Sequence, residues 1–167
     1  MMKTLSVLGL ALIIGVLALA VVKRDSLREH RARAFARAAW DGDVGRMRLW
    51  RFLGADPKGP APGMAPPLLE AAASGKVEAI RYLLDCGVDV EQRDKWGNTP
   101  LIEAAYEGHL EAVRYLLDSG AKVNSAGEDG SALRLAIMKK HSDVAELLRQ
   151  HGGLDCVGMD HPIFSCE

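Results

Sequence analysis

The stretch Gly97-Asn98-Thr99-Pro100-Leu101-Ile102-Glu103-Ala104-Ala105 decides the fold of this chain. Thr99 is a residue type that caps helix N-termini, and Pro100 stands at the first helical position, where a missing N–H costs nothing. A helix that begins there can continue only to Gly108. A second apolar-periodic segment follows and stops at Gly120, a glycine typical of left-handed C-terminal caps. The stretch therefore begins a unit of two short helices joined by a turn.

This unit recurs along the chain at spacings of 33, 33 and 32 residues. One equivalent position is alanine in every copy, namely Ala38, Ala71, Ala104 and Ala136. The turn between the two helices holds Gly42, Gly75, Gly108 and, in the fourth copy, Lys140. The second helix is closed by Gly54, Gly87, Gly120 and Gly152. A fixed period near 33 with Thr-Pro-Leu at its start is typical of stacked helical repeats.

The chain resembles the ankyrin repeat family over roughly residues 34–153, on the residues just quoted. The resemblance implies an all-α solenoid of helix-turn-helix units joined by hairpin loops, with repeats at about 34–65, 66–98, 99–130 and 131–153. The first repeat lacks the Thr-Pro start, as terminal repeats often do. The family has histidine after Thr-Pro-Leu, where this chain has Leu69, Ile102 and Arg134. The tail, 154–167, has no period and is expected to cap the last repeat.

Composition agrees with a thin, layered core. The chain has 167 residues, enough for one ordinary domain and an additional segment. The net charge of −1 gives no overall field that would attract nucleic acid. Aromatic residues make up only 5% of the sequence, which suits layers filled by leucine, valine and alanine. Three cysteines are too few and too scattered for a disulfide framework.

Residues 4–22 contain no charged side chain and are flanked by Lys3 and Lys23-Arg24. At 1.5 Å per residue, a helix of this length is about long enough to cross a hydrocarbon core. The excess of arginine after the segment favours a retained transmembrane signal-anchor helix with the repeats in the cytosol. The alternative is a signal peptide cut after Ala20, which would give an exported, soluble protein, secreted or periplasmic.

The basic juxtamembrane segment, 23–33, has two interpretations. Asp25-Ser26 is predicted to cap a new helix that runs into the first repeat. Its arginines either lie in solvent or bind anionic lipid headgroups, and the second reading makes the chain a basic lipid-surface-binding protein. Further along, Pro57 to Pro67 contains five prolines and is predicted to form an extended, exposed loop between repeats one and two.

No combination of residues supports catalysis, and we predict neither an enzyme nor a cofactor or small-molecule substrate. His109 and His141 follow the inter-helix turns, where the resemblance implies a structural hydrogen bond. The tail contains four potential zinc ligands, but their regular spacing of five matches no compact zinc pattern, so no metal site is predicted; they are His151, Cys156, His161 and Cys166. A phosphate-binding glycine-rich loop is absent from the sequence.

The resemblance implies a protein partner bound on the concave face, which the first helices and the hairpin tips form. In this register the groove positions are Trp40, Ala73, Tyr106 and Met138, with Glu103 and Glu107 beside them and Arg93, Lys95 and Trp96 at a tip. Large amphipathic side chains of this kind dominate binding hot spots. Trp96 is predicted to be an exposed anchor, or else to fold over the adjacent loop. Tyr106 either faces the partner or packs between first helices.

The sequence therefore predicts a non-enzymatic protein–protein interaction module, displayed at a membrane through residues 4–22. Its predicted contact residues are Trp96, Tyr106, Trp40, Met138, Arg93, Lys95, Glu103 and Glu107. No nucleic-acid partner is expected.

Overall fold

The computed structural model describes the backbone of residues 7–155 and the side chains of residues 24–155. Eight helices lie within this part of the chain: α1 Val7–Asp41, α2 Val44–Phe52, α3 Pro67–Ala73, α4 Val77–Asp85, α5 Pro100–Glu107, α6 Leu110–Asp118, α7 Ala132–Met138 and α8 Ser142–Gln150. Two short antiparallel strands, β1 Ala126–Gly127 and β2 Gly130–Ser131, form the hairpin before α7. Within residues 7–155, this hairpin departs from the predicted all-helical fold.

The helices form two layers. The inner layer contains α1, α3, α5 and α7, each packed on the next, and the outer layer contains α2, α4, α6 and α8. The repeated alanines Ala38, Ala71, Ala104 and Ala136 are fully buried between the inner helices. Their small side chains allow these helices to approach closely, while leucine and isoleucine from the outer layer, such as Leu83 and Leu116, complete the core. The predicted helical repeat solenoid is confirmed.

The caps follow from the sequence. Thr99 is buried, and its hydroxyl oxygen accepts a hydrogen bond from the Ile102 N–H, as predicted for the N-cap of α5. Ser131 does the same for Arg134 at the start of α7. Gly108 ends α5 with a φ of 81°, in the left-handed region that glycine enters without steric cost.

Two expectations about the N-terminal half are wrong. No helix begins at Asp25-Ser26, because α1 continues through both residues without interruption. The proline-rich loop, 57–67, is not extended, although Lys58, Pro60, Pro62 and Gly63 are exposed as predicted. It is folded by bends and turns, with Ala61 and Pro66 buried and Pro67 already in the first turn of α3.

The predicted anchor, 4–22, lies outside the residues whose side chains are described, and residues 156–167 of the tail lie outside the described backbone. In the part of the chain that was described in full, no helix is both long enough and apolar enough to cross a membrane. The described start of the tail does cover the last repeat, since the Leu154 N–H donates to Asn124 and the Ser131 hydroxyl donates to the Leu154 carbonyl oxygen.

Candidate functional site

Trp96 lies at the hairpin tip between α4 and α5. The tip is held by Asp94, whose carboxylate accepts hydrogen bonds from the backbone N–H groups of Trp96 and Asn98, both at 2.9 Å. Gly97 completes the turn with a φ of 75°. The indole remains 51% exposed, and the Nζ of Lys95 lies 4.1 Å from the centre of its ring. A rigid loop therefore presents a large amphipathic side chain to solvent.

Two surface cavities share the Trp96 side chain as a wall. The first, of about 430 Å³, lies between this tip and the folded proline-rich loop, and its lining includes Pro62, Met64, Arg93 and Lys95. The second, of about 200 Å³, lies on the inner-helix side and includes Ile102, Glu103, Tyr106 and Asp129. Trp96 thus forms the boundary between the cavities.

The proline-rich wall was missed by the sequence prediction, which treated this loop only as a connector. A signal for it exists in the repeat period. Gly63 and Asp129 stand 33 residues before and after Trp96, so neighbouring tips place them on either side of the indole. The period predicts which tips are adjacent, but the turns that fold the loop inward depend on its contacts in the folded protein.

Tyr106 is half-buried and takes part in packing as well as lining the smaller cavity. Its side chain packs against the hydrophobic core, and the Nζ of Lys139 lies 4.0 Å from its ring centre. Its carbonyl oxygen is 3.0 Å from the Nε2 of His141, which confirms the structural role predicted for that histidine. The packing predicted for Tyr106 is therefore present, and its contact with a partner stays a prediction.

Glu103 lies in the same cavity as Trp96 and Tyr106. Its carboxylate accepts a hydrogen bond of 2.9 Å from the Asn98 side-chain amide. Burial raises the pKa of Glu103 above its ordinary value of 4.5, nearby carboxylates such as Asp94 and Glu107 raise it further, and the bond from Asn98 partly offsets the shift. Burial also raises the pKa of Glu70, one repeat earlier in the same row. The groove therefore contains carboxylates that are kept partly away from water.

The Arg93 side chain forms hydrogen bonds within the protein. Its guanidinium donates to the carbonyl oxygens of Gly97, in its own tip, and of Ala126, in the next hairpin, the latter at 2.9 Å. The side chain therefore links two adjacent tips, while Lys95 covers one face of Trp96. Glu107, at the end of α5, is exposed.

Trp40 and Met138 lie at the C-terminal ends of the inner helices α1 and α7 and are 47% and 63% exposed. They share the row of Tyr106 at the repeat spacing, but neither lines a cavity with Trp96. Among the predicted contact residues, the structure brings Trp96, Glu103 and Tyr106 together on one side and Trp96, Arg93 and Lys95 on the other.

Within residues 24–155, no group of three histidine, cysteine, aspartate or glutamate side chains is placed so that it could hold a metal ion. Of the four potential zinc ligands in the tail, Cys156, His161 and Cys166 lie outside the described residues. His151 contacts the Leu147 carbonyl oxygen through Nδ1 at 2.9 Å.

Comparison with known proteins identifies the repeats. A family model described as "Ankyrin repeats (3 copies)" matches residues 49–126 and 68–160, which together cover about two thirds of the chain. No curated protein matches the chain. The matched residues include the helices α3 to α8 and both cavities beside Trp96. The chain therefore belongs to the ankyrin repeat family.

Proposed function

We propose that this chain is a non-enzymatic module that binds a protein partner through the surface around Trp96, while residues 4–22 hold it at a membrane. Ankyrin repeats generally mediate protein–protein interaction, which gives the coarse function. The finer proposal, the position of the site, depends on one observation. A half-exposed indole on a rigid tip borders two cavities.

The chemistry of the two cavities supports such a contact. Indole rings contribute much binding energy because they bury a large area at a small cost in side-chain entropy. The smaller cavity combines the rings of Trp96 and Tyr106 with the carboxylates of Glu103 and Asp129. It therefore favours a partner segment in which an apolar side chain stands next to a basic one. Met138 is exposed on the neighbouring repeat, at the position equivalent to Tyr106, and offers a further apolar contact.

Site-specific photo-crosslinking in the cells of origin tests the location. A photoreactive amino acid replaces Met138, beside the proposed surface, and the matched control places it at Arg114, exposed on the outer helix α6. We expect one protein to be captured at 138 and not at 114, with capture lost when Trp96→Ala is added. Equal capture at both positions, or capture unaffected by Trp96→Ala, would contradict the proposed site.

The membrane proposal has its support in the sequence of residues 4–22 and the basic residues that follow. Two alternatives to the membrane anchor remain. One is export after cleavage behind Ala20, and the other is a chain that binds lipid surfaces through its arginines. The N-terminal mass of protein from its own cells, combined with protease added outside intact cells, tests export. The salt dependence of membrane association after deletion of residues 4–22 tests lipid binding through the arginines. An intact N-terminus with protected repeats supports the cytosol-facing anchor, and a mature chain beginning at Val21 contradicts it.

A further inference from the structure

Four large apolar side chains are exposed together at the N-terminal end of the solenoid. They are Leu27 on α1 and Leu49, Phe52 and Leu53 at the end of α2, and we call them the end face. Phe52 is 86% exposed. Arg31 connects the two helices here, since its guanidinium donates to the carbonyl oxygens of both Leu27 and Leu53. The end face is therefore one surface and not a set of scattered residues.

The repeat fold does not require apolar residues at the last two of these positions, whereas the position of Leu49 is Tyr82, Tyr115 and Leu147 in the later repeats. The position of Phe52 is occupied in the later repeats by Asp85, Asp118 and Gln150, and that of Leu53 by Cys86, Ser119 and His151. The other repeats thus have polar or small residues where the first repeat exposes phenylalanine and leucine. An exposed apolar cluster of this kind indicates a surface that is covered by something else.

Charge is distributed unevenly along the chain, with the positive part around the end face. Residues 24–54 contain eight arginines and four acidic side chains, whereas residues 55–155 contain eleven basic and sixteen acidic side chains. Three of the four carboxylates form ion pairs with arginines of the same segment, and Glu29 pairs with Arg33. Asp41 and Asp43 bind Arg46, while Asp25 and Glu29 line a cavity of about 500 Å³ against the proline-rich loop.

The end face also lies at the end of the first repeat that is nearest the apolar segment. α1 is continuous from Val7 to Asp41, and α2 returns beside it, so that Leu53 reaches the level of Leu27 and Arg31. At a helical rise of 1.5 Å per residue, that level is about 6 to 12 Å along α1 from Lys23. For a chain whose residues 4–22 span the hydrocarbon, a headgroup layer of about 5 to 7 Å reaches the level of Leu27, and a tilt of α1 brings Arg31 and Leu53 to it.

We propose that the end face docks on an anionic membrane surface, with Phe52 and Leu53 entering the headgroup layer and the surrounding arginines contacting lipid phosphates. Such a pairing of apolar side chains with basic ones is typical of interfacial binding. The proposal depends on the membrane-held module proposed above, and it adds an orientation. Docking tilts the first repeat onto the membrane and leaves the Trp96 surface, at the tip of the second repeat, accessible.

The test uses the full chain in vesicles, with Cys86, Cys156 and Cys166 changed to serine and one cysteine introduced for an environment-sensitive fluorophore. The probe position is Phe52→Cys, and the matched control is Asp118→Cys, the equivalent position of the third repeat. Vesicles contain phosphatidylcholine alone or with phosphatidylserine, together with a lipid that carries a shallow spin-label quencher. Thermal unfolding of each variant checks that the fold is retained.

We expect the label at 52 to shift to the blue and to be quenched in phosphatidylserine vesicles, and the label at 118 to show neither effect. Raising the salt from about 0.1 to about 1 M should reduce the quenching, because the screening length falls from about 10 to about 3 Å. Each of Arg24→Gln and Arg28→Gln should lower the docked-to-undocked ratio about fivefold.

The outcomes separate this proposal from the anchor itself. If the chain stays with the vesicles through a carbonate wash while the labels at 52 and 118 remain equally aqueous, the anchor stands and the docked end face is contradicted. If the carbonate wash removes the chain but the label at 52 was quenched, the end face is supported and the anchor is contradicted. Self-quenching between labels at 52 would mean that the face pairs two copies, which also contradicts lipid docking.

Discussion

The imidazole of His141 lies directly against Gly108, and its Nε2 is 3.0 Å from the carbonyl oxygen of Tyr106 in the preceding repeat. A Cβ at Gly108 would be only 2.5 Å from the Nδ1 of this ring. The same arrangement occurs one repeat earlier, where His109 lies against Gly75 and contacts the Ala73 carbonyl oxygen at 2.9 Å. Gly75 and Gly108 therefore each serve two purposes, a left-handed backbone and a site for the histidine of the next repeat, whereas Gly42 faces the side chain of Lys76.

Gly108→Ala should destabilise the protein more than Gly120→Ala does. Both glycines have positive φ values, 81° and 90°, so both substitutions strain the backbone by about 1 kcal/mol. Only at Gly108 would the added methyl group also collide with the His141 ring, because nothing lies within 4 Å of a Cβ at Gly120. Urea denaturation measures the difference, and combining Gly108→Ala with His141→Ala should recover part of it. Equal losses of stability for the two glycine variants would show that Gly108 is not needed to make room for the His141 ring.

Lys140→Gly should stabilise the protein by up to about 1 kcal/mol, since a lysine with positive φ is strained. Lys140 occupies the turn position that glycine holds in the other repeats, with a φ of 64°. The Cβ of Lys140 is accommodated because α8 is the last described helix, so no histidine of a following repeat packs against this turn. The control is Glu78→Gly, on the exposed side of α4, which should cost roughly 0.5–1 kcal/mol. A loss of stability from Lys140→Gly would show that the turn is not strained.

Glu103→Gln should raise the free energy of unfolding at pH 7, and the gain should shrink as the pH falls. Burial raises the pKa of Glu103 above 4.5 in the folded state, so the folded chain keeps this proton to a higher pH than the unfolded chain does. The stability that the neutral carboxyl contributes is present below about pH 4.5 and is lost as the pH rises through the folded pKa. Glutamine can still accept the bond from Asn98.

Denaturation at several pH values between 4 and 7 provides the measurement for Glu103, with Glu78→Gln as the exposed control. The stability gap between Glu103→Gln and the natural chain should widen with pH, and it should widen more than the gap for the exposed Glu78→Gln variant does. A gap that narrows as the pH rises would mean that the ionised carboxylate is stabilised in the groove.

Trp96→Ala and Tyr106→Ala should differ in their effect on stability, although both residues border the same cavity. We expect a loss of about 1 kcal/mol or less for Trp96, whose indole is half exposed, and about 2–3 kcal/mol for Tyr106, which packs against the core. Thermal unfolding measures both. A loss as large for Trp96 as for Tyr106 would show that the indole is a structural cover for the tip and not a free binding surface.

The sequence predicted the repeat architecture because that architecture is encoded locally. Thr99, Pro100 and the turn glycines each dictate a cap or a backbone conformation, and the buried alanines recur at one spacing. It failed where the outcome depends on contacts between distant residues. Asp25-Ser26 has a helix-capping composition, but the helix that begins at Val7 continues through it. The sequence suggests that Arg93 is a free surface charge, whereas in the structure its guanidinium donates to the carbonyl oxygen of Ala126 in the next hairpin.

The candidate site was predicted in part for the same reason. Exposure of Trp96 could be predicted from its place beside a turn glycine, but the larger of its two cavities required the folded form of the loop at residues 60–66. Prolines restrict φ and thereby predict a stiff loop, yet they do not specify the turns that bury Ala61.

The most direct test of the binding surface is the affinity of the full chain for the partner captured by crosslinking at position 138. Titration compares the natural chain with Trp96→Ala and with Arg114→Ala on the outer helix. We predict that Trp96→Ala weakens binding by about thirtyfold, the effect of a hot-spot residue, and that Arg114→Ala leaves the affinity unchanged. An affinity that survives Trp96→Ala, or that depends instead on Arg114, would contradict the account.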